Sequence, residues 1–224
     1  EPPPDPVALC LEKGKSTMLA GHLLLIHRYR NQRLSIEVNA SPIRDSNSDI
    51  TGVVLVFHDV TELRGLAKKM SYQATHDSLT GLINRREFEY RVKHALDHAR
   101  NSDIRHAVCY IDLDNFKVVN DTCGHIAGDE LLKQLTIKLR LELREADTLA
   151  RLGGDEFGVL LEGCSIENAH DPAENLRKIV ENFRFVWDNK AFRVGASIGL
   201  VAITSDSGTL TDVLSAADSA CYLA

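Results

Sequence analysis

Arg151-Leu152-Gly153-Gly154-Asp155-Glu156-Phe157 decides how this chain is read. Apolar, β-compatible runs flank it, Leu149 to Leu152 before and Phe157 to Leu161 after. Gly153-Gly154 therefore reads as the bend of a β-hairpin, where positive φ costs glycine little and a bare backbone lets a ligand approach closely. Asp155 and Glu156 are adjacent on what becomes a strand, so they point to opposite faces and only one readily joins a given site. A bare turn beside an acidic side chain suits a metal ion and phosphate. Solvated Gly-Gly turns followed by acids share the pattern, so a second acidic element is needed to carry the reading.

That element lies upstream. Ala107-Val108-Cys109-Tyr110-Ile111-Asp112-Leu113-Asp114 is a short apolar run, typical of a buried strand, that stops at two aspartates one residue apart. Asn115 to Asp121 reads as a short helix with Asp114 as its N-cap, which leaves backbone N–H groups near Asn115 to Lys117 open to an anion. Asp112 is then placed to hold a divalent cation, with the helix start and Lys117 holding phosphate, whereas Asp114 is explained as a plain cap. Hard oxygen ligands without a cysteine or histidine partner point to magnesium or manganese rather than zinc.

These residues resemble the GGDEF family, the diguanylate cyclases. His76-Asp77-Ser78-Leu79-Thr80-Gly81-Leu82-Ile83-Asn84-Arg85-Arg86 is similar to the family's opening segment. Asn120 to Leu132 is similar to its central segment, and Ala196-Ser197-Ile198-Gly199-Leu200 with Ala217 to Tyr222 to its closing part. The resemblance covers roughly the last two thirds of the chain. It implies an α+β fold, a mixed, largely antiparallel central sheet flanked by helices as in nucleotide cyclases and polymerase palms. It also implies that two GTP condense to cyclic di-GMP and two pyrophosphates across a homodimer, each domain binding one GTP.

Site roles follow from the same resemblance. Asp112 and Asp155, with the backbone carbonyl of Leu113, would bind Mg²⁺ or Mn²⁺, and Asp155 would help deprotonate the attacking hydroxyl. Two cations bridging a triphosphate would stabilise charge on the α-phosphoryl group and on leaving pyrophosphate. Asn115, Phe116 and Lys117 would cradle phosphates, and Asn120 and Asp129 would read the base. A carboxylate accepts from guanine N1–H and its 2-amino group, a donor pair that adenine lacks, so GTP is favoured over ATP. Asp129 near a helix start also has a purely structural explanation in the macrodipole. Arg144 and Asp147 match the family's RxxD product-inhibition site; without that context they would read as an exposed ion pair worth roughly 0–1 kcal/mol. Relatives usually continue past the Ala-Asp-x-Ala-x-Tyr segment into Ala-Lys and a Gly-Arg-Asn run that helps hold phosphates, so the sequence ending at Ala224 is expected to turn over less readily than it binds.

The first part of the chain is a separate module by pattern. His22 to Tyr29, Arg33 to Ala40 and Gly52 to Asp59 are three strand-like runs of an antiparallel meander. Ser41-Pro42-Ile43-Arg44-Asp45 with Gly52 to Thr61 resembles the C-terminal half of a PAS sensory domain, including its Asp-Val-Thr exit. The expected division is a partial PAS domain over 1–61, a helical linker over 62–75 and a GGDEF domain over 76–224. Pro2-Pro3-Pro4 reads as a boundary or loop, and half a PAS domain is expected to hold no haem, flavin or other sensed ligand. Leu63, Leu66 and Met70 recur at coiled-coil spacing in the linker, too briefly to separate a dimer seam from an ordinary packed helix.

Composition sets bounds. The chain has 224 residues, 44% hydrophobic, enough for two modest cores, and its net charge of −6 argues against a nucleic-acid surface. Its five cysteines are scattered and lack metal-ligand spacing, which fits a reducing cytoplasm. No apolar run approaches the ~20 residues that span a bilayer, although a parent protein can be tethered elsewhere. Gly14-Lys15-Ser16-Thr17 imitates the end of a P-loop without its first glycine, and His94 and His98 share a helix face without an evident third metal ligand. A rival function is a non-catalytic module that binds GTP or cyclic di-GMP and controls a following EAL phosphodiesterase domain. A blander option is a dimerising transducer with no nucleotide affinity.

Overall fold

The computed structural model describes residues 4–26, 33–102 and 104–224, which form two compact units, Glu1–Ser71 and Tyr72–Ala224. Pro2, Pro3 and residues 27–29 of the first expected strand lie outside the described residues. In the smaller unit, helix α1 (Pro6–Lys13) precedes strands β1 (Thr17–Ile26), β2 (Arg33–Arg44) and β3 (Ile50–Asp59). They form one antiparallel sheet, ordered β1-β2-β3. Helix α1 is an addition to the expected meander. Asp5 caps it by accepting the Val7 N–H at 2.9 Å, and Gly14 ends it at φ 62°. The P-loop imitation thus sits at the end of a helix and the start of a strand, the reverse of the order a phosphate-binding loop requires.

β2 runs through Pro42 to Arg44, four residues beyond the expected stop at Ala40, although proline cannot donate to a ladder. The pairing explains this: β1 leaves β2 at Ala40, so Pro42 has a strand neighbour only on its β3 side, opposite Val53. The exit from β3 is pinned locally. Val60 N–H donates to Ser35 O at 2.9 Å, Ser35 N–H to Thr61 Oγ1 at 2.8 Å, and Thr61 N–H to Asp59 Oδ1 at 2.9 Å. Helix α2 (Thr61–Thr75) starts there.

The larger unit contains β4 (Ile83–Asn84), α3 (Arg85–Ser102), β5 (His106–Asp114), α4 (Phe116–Cys123), α5 (His125–Glu142), β6 (Thr148–Gly153) and β7 (Glu156–Leu161). It continues with α6 (Ile166–Asn182), the hairpin β8 (Arg184–Trp187) and β9 (Lys190–Arg193), β10 (Gly195–Ile203) and α7 (Leu210–Tyr222). The main sheet has the order β10-β5-β7-β6-β4, and every pairing in it is antiparallel except β4 with β6. This is the mixed, largely antiparallel sheet flanked by helices expected from the sequence.

β5 supplies both cores by simple alternation. Ala107, Cys109, Ile111 and Leu113 pack with Leu131, Leu135 and Leu139 of α5 and Leu176 and Val180 of α6. Val108 and Tyr110 pack on the other face with Phe88, Val92 and Leu96 of α3 and Val213 and Ala217 of α7. Of the leucine row read in the sequence, Leu131, Leu135 and Leu139 are fully buried and Leu143 is half-buried at the helix end.

α7 lies directly on β10 because Gly199 has no side chain: a Cβ there would collide with Ala217 O and Cys221 N. Backbone cannot yield as a flexible side chain can, so Gly199→Ala is expected to destabilise the larger unit by about 3 kcal/mol, the upper end of overpacking costs. Trp187, the single tryptophan, lies in that unit and makes urea unfolding followed by fluorescence selective for it. An unchanged midpoint would show that α7 can move away without cost.

Candidate active site

Two-strand geometry assembles the acidic residues. β5 ends at Asp114, and β6 and β7 meet at a two-residue turn, Gly154-Asp155, because Gly153 pairs with Glu156. The bend is therefore one residue later than expected. Gly153 and Gly154 have φ of 152° and 51°, and a Cβ on either would meet nothing within 4 Å. Conformation, not crowding by the protein, selects glycine there, and the space above the turn is open to a ligand.

The turn is fastened on two sides. Leu113 N–H donates to the Asp155 carbonyl at 3.3 Å, which draws the end of β5 against the turn. Arg151 donates from Nε and Nη2 to the Gly154 carbonyl at 3.1 and 2.8 Å, and its Nη1 contacts Asp77 at 3.2 Å. Asp77 also accepts from Thr80 N–H at 2.9 Å and Thr80 Oγ1 at 2.6 Å. One partly buried ion pair thus links the His76–Arg86 segment to the acidic turn.

Asp112 stands opposite Glu156 across the β5–β7 ladder and opposite Ser197 on β10. Burial first, then the charges of Asp155, Glu156 and Asp114, raise its carboxyl above the ordinary value. The charges of both acids of the heptad thus reach Asp112. Strand alternation begins only at Glu156; Asp155 belongs to the turn. Glu156 is engaged by Arg85, with Nη2 to Oε2 at 2.9 Å. Burial and a hydrogen bond to Glu156 push the neighbouring Tyr110 hydroxyl up to about 12. Arg85 and Tyr110 are site neighbours to which the sequence alone gives no role, because only the sheet brings them to Glu156.

The anion cradle is built differently from its expected form. Asp114 is the last residue of β5, not the helix cap; Asn115 occupies that position at φ 63°, and among the described residues no side chain caps α4. Asp114 accepts instead from Ser197 Oγ at 3.2 Å. The sharp left-handed step at Asn115 turns the chain straight from strand into helix. The helix start at Phe116 and Lys117 is left without a side-chain acceptor, which strengthens the case for an external anion. Asn120 faces α5 at Gly128, where a Cβ would strike its Oδ1, so the glycine brings this amide close to the turn carrying exposed Asp129.

Arg144 and Asp147 lie apart from these groups, in the loop between α5 and β6. Asp147 Oδ2 accepts the backbone N–H of Arg144 at 3.1 Å, and no ion pair joins the two side chains among the described residues. Both line a cavity of about 320 Å³ with His76, Arg91, Arg140 and Thr148.

The comparisons with known proteins decide the family. The family model described as "Diguanylate cyclase, GGDEF domain" matches residues 74–224. The chain belongs to the GGDEF diguanylate cyclase family. It is 40% identical over 199 residues to "Probable diguanylate cyclase DgcE" of Escherichia coli strain K12, covering 89% of this chain and 18% of that protein. It is 34% identical over 192 residues to "Cyclic di-GMP phosphodiesterase PdeB" of Shewanella oneidensis, covering 84% and 22%. The GGDEF domain of TpbB from Pseudomonas aeruginosa superposes with a TM-score of 0.62 at 39% identity, covering 66% of this chain and 87% of that one. The chain spans about a fifth of the length of the two curated relatives.

A divalent cation fits this GGDEF site by its donors. Two carboxylates and a backbone carbonyl are hard oxygen ligands, and both the burial and the neighbouring negative charges that raise Asp112 are relieved by a bound cation. Among the described residues no three histidine, cysteine or acidic side chains form a ready-made metal cage. Magnesium typically binds through one or two carboxylates and completes its shell with water and substrate phosphates, so a partial set is what such a site needs.

Two outcomes are expected. Asp112→Asn removes the repelled charge, so it should raise the melting temperature without metal and should lack the further rise expected of the wild type with Mg²⁺ and a GTP analogue; calorimetry reads both. For Asp77, burial acts to raise the carboxyl, but Thr80 and Arg151 together hold it below its ordinary value. A depressed folded pKa contributes stability above the ordinary carboxylate range that is lost as pH falls through the folded value. Asp77→Asn should therefore lower stability at neutral pH and flatten that acid limb in a series of urea melts; parallel pH profiles for the two proteins would contradict the assignment.

Proposed function

We propose that this chain is the GTP-condensing part of a diguanylate cyclase, forming cyclic di-GMP and two pyrophosphates. The observation that carries the proposal is the convergence of Asp112 and Asp155 at an open glycine turn, beside a helix start without a side-chain cap. Asp112, Asp155 and the Leu113 carbonyl hold Mg²⁺ or Mn²⁺, which when bound neutralises charge on the triphosphate. The backbone at Asn115 and Phe116, with Lys117, holds the phosphates, while Asp129 accepts from guanine N1–H and the 2-amino group and the Asn120 amide donates to and accepts from the same edge. Asp155 takes the proton of the 3′-hydroxyl, whose oxygen bonds to the α-phosphorus of the GTP on a second copy as pyrophosphate leaves.

A homodimer supplies that second copy. Leu63, Leu66 and Met70 on α2 are 67%, 52% and 69% exposed, an apolar stripe suited to pairing with its own copy. The meander over 1–61 fits the C-terminal half of a PAS domain, with 62–75 as linker and 76–224 as cyclase domain. Arg144 and Asp147 bind product: an arginine fork suits phosphate or a guanine edge, and the acid accepts from guanine N–H groups. In the whole protein the domain works in the cytoplasm, a placement compatible with a membrane tether elsewhere in that protein; no helix among the described residues is long and apolar enough to cross a bilayer. A second reading, a nucleotide-binding regulator of an attached EAL phosphodiesterase domain, draws support from the phosphodiesterase name of one relative.

Incubation with GTP and Mg²⁺, with cyclic di-GMP scored by chromatography, separates these readings. Cyclisation is expected from the wild type, a loss of at least about a hundredfold in Asp155→Ala, and continued accumulation past the product-inhibited plateau in Arg144→Ala. Tight GTP binding with no product, even from a chain extended through the basic C-terminal segment, would favour the regulator.

A further inference from the structure

His106 opens β5 at the end remote from Asp112 and is 2% exposed. Its Nδ1 accepts the backbone N–H of Gly163 at 3.1 Å. A neutral imidazole that accepts at Nδ1 carries its proton on Nε2. That Nε2–H is buried and has no hydrogen-bond partner among the described residues. Buried donors are nearly always paired, so an unmatched one beside a cavity marks a place for an acceptor.

The cavity has a volume of about 240 Å³ and lies between α3 and the ends of β5 and β7. Tyr90, Arg91, His94 and His98 line it from α3, and Glu162 from the residue after β7. The His98 ring is 5.5 Å from the His106 ring, centre to centre. Arg91 is fixed by Glu87 at 3.1 Å and Thr148 at 3.0 Å through Nε and Nη1, two of the nitrogens that carry its five donors. The lining is rich in donors and contains one carboxylate. A metal does not fit it, because His106 offers a protonated nitrogen and no three ligating side chains converge among the described residues.

We propose that this cavity binds a protonated phosphate group, either inorganic phosphate or the end of a phosphomonoester. His106 Nε2–H, His98 and Arg91 donate to the phosphate oxygens. Glu162 accepts a hydrogen bond from the P–OH of the singly ionised phosphate, a form that inorganic phosphate populates near neutral pH and a phosphomonoester mainly at or below about pH 6. The same carboxylate repels a fully ionised oxyanion, so sulfate is rejected although its size and shape are nearly the same. The site is separate from Asp112 and Asp155 and does not depend on the cyclase reading.

Long-range proton–nitrogen NMR of the histidine rings, on the intact chain at matched ionic strength, tests this without turnover. His106 should show the Nε2–H tautomer and a saturable Nε2 shift with inorganic phosphate, with sulfate weaker by about tenfold. Methyl phosphate acting like inorganic phosphate would assign the ester end as ligand; inorganic phosphate acting alone would assign the free ion. Glu162→Gln, an exposed substitution that spares the fold, should bring phosphate and sulfate within about twofold of each other. An Nδ1–H tautomer, no saturable shift at millimolar phosphate, or equal response to sulfate in the wild type would overturn the proposal.

Discussion

Burial of β5 on both faces is the constraint from which the rest of the larger unit follows. Alternate residues from Ala107 to Leu113 serve two separate cores, so a register slip of one residue would exchange every side chain between them. That rigidity is what allows the strand to end in repelling carboxylates. Asp112 carries a raised carboxyl at the tip of an element held by α5 and α6 on one side and α3 and α7 on the other. Two well-packed cores offset the cost of one unfavourable edge, as functional sites commonly require.

The second support is Arg151. It reaches the Gly154 carbonyl from one end of its fork and Asp77 from the other, so a single guanidinium joins the turn to the start of the domain. A lysine could not do the same, since it lacks the planar fork that holds two acceptors at fixed directions. The Leu113–Asp155 backbone bond then closes the gap between strand and turn. Two glycines without crowding keep the turn open, and the uncapped start of α4 lies one left-handed residue beyond the strand. Cation and phosphate positions are thereby adjacent by construction of the backbone.

Much of this was legible in the sequence because it is local. The apolar run ending at Asp112, the glycine turn and the leucine row of α5 each announce themselves by spacing. What was not legible depends on pairing. Glu156 joins Asp112 only because β7 starts one residue later than the turn suggests, and Asp114 gives up the cap position because Asn115 adopts a left-handed conformation. Within 162–195 the Asp188-Asn189 pair, with φ of 46° and 61°, is a hairpin signal that turn chemistry carries. His106 is illegible in the sequence for the opposite reason: at the start of a buried strand it looks like a boundary residue, and only the fold brings His98 and Glu162 to it.

The central claim is that the end of β5 and the Gly154-Asp155 turn form one cation and triphosphate site. Mn²⁺ added with a non-hydrolysable GTP analogue broadens the amide resonances nearest to it, which locates the ion without any need for turnover. The account predicts the strongest broadening at Leu113, Phe116 and Gly154, lost in Asp112→Asn, with Arg144 and Gly163 much less affected. Strongest broadening around Arg144, or broadening that persists unchanged in Asp112→Asn, would contradict it.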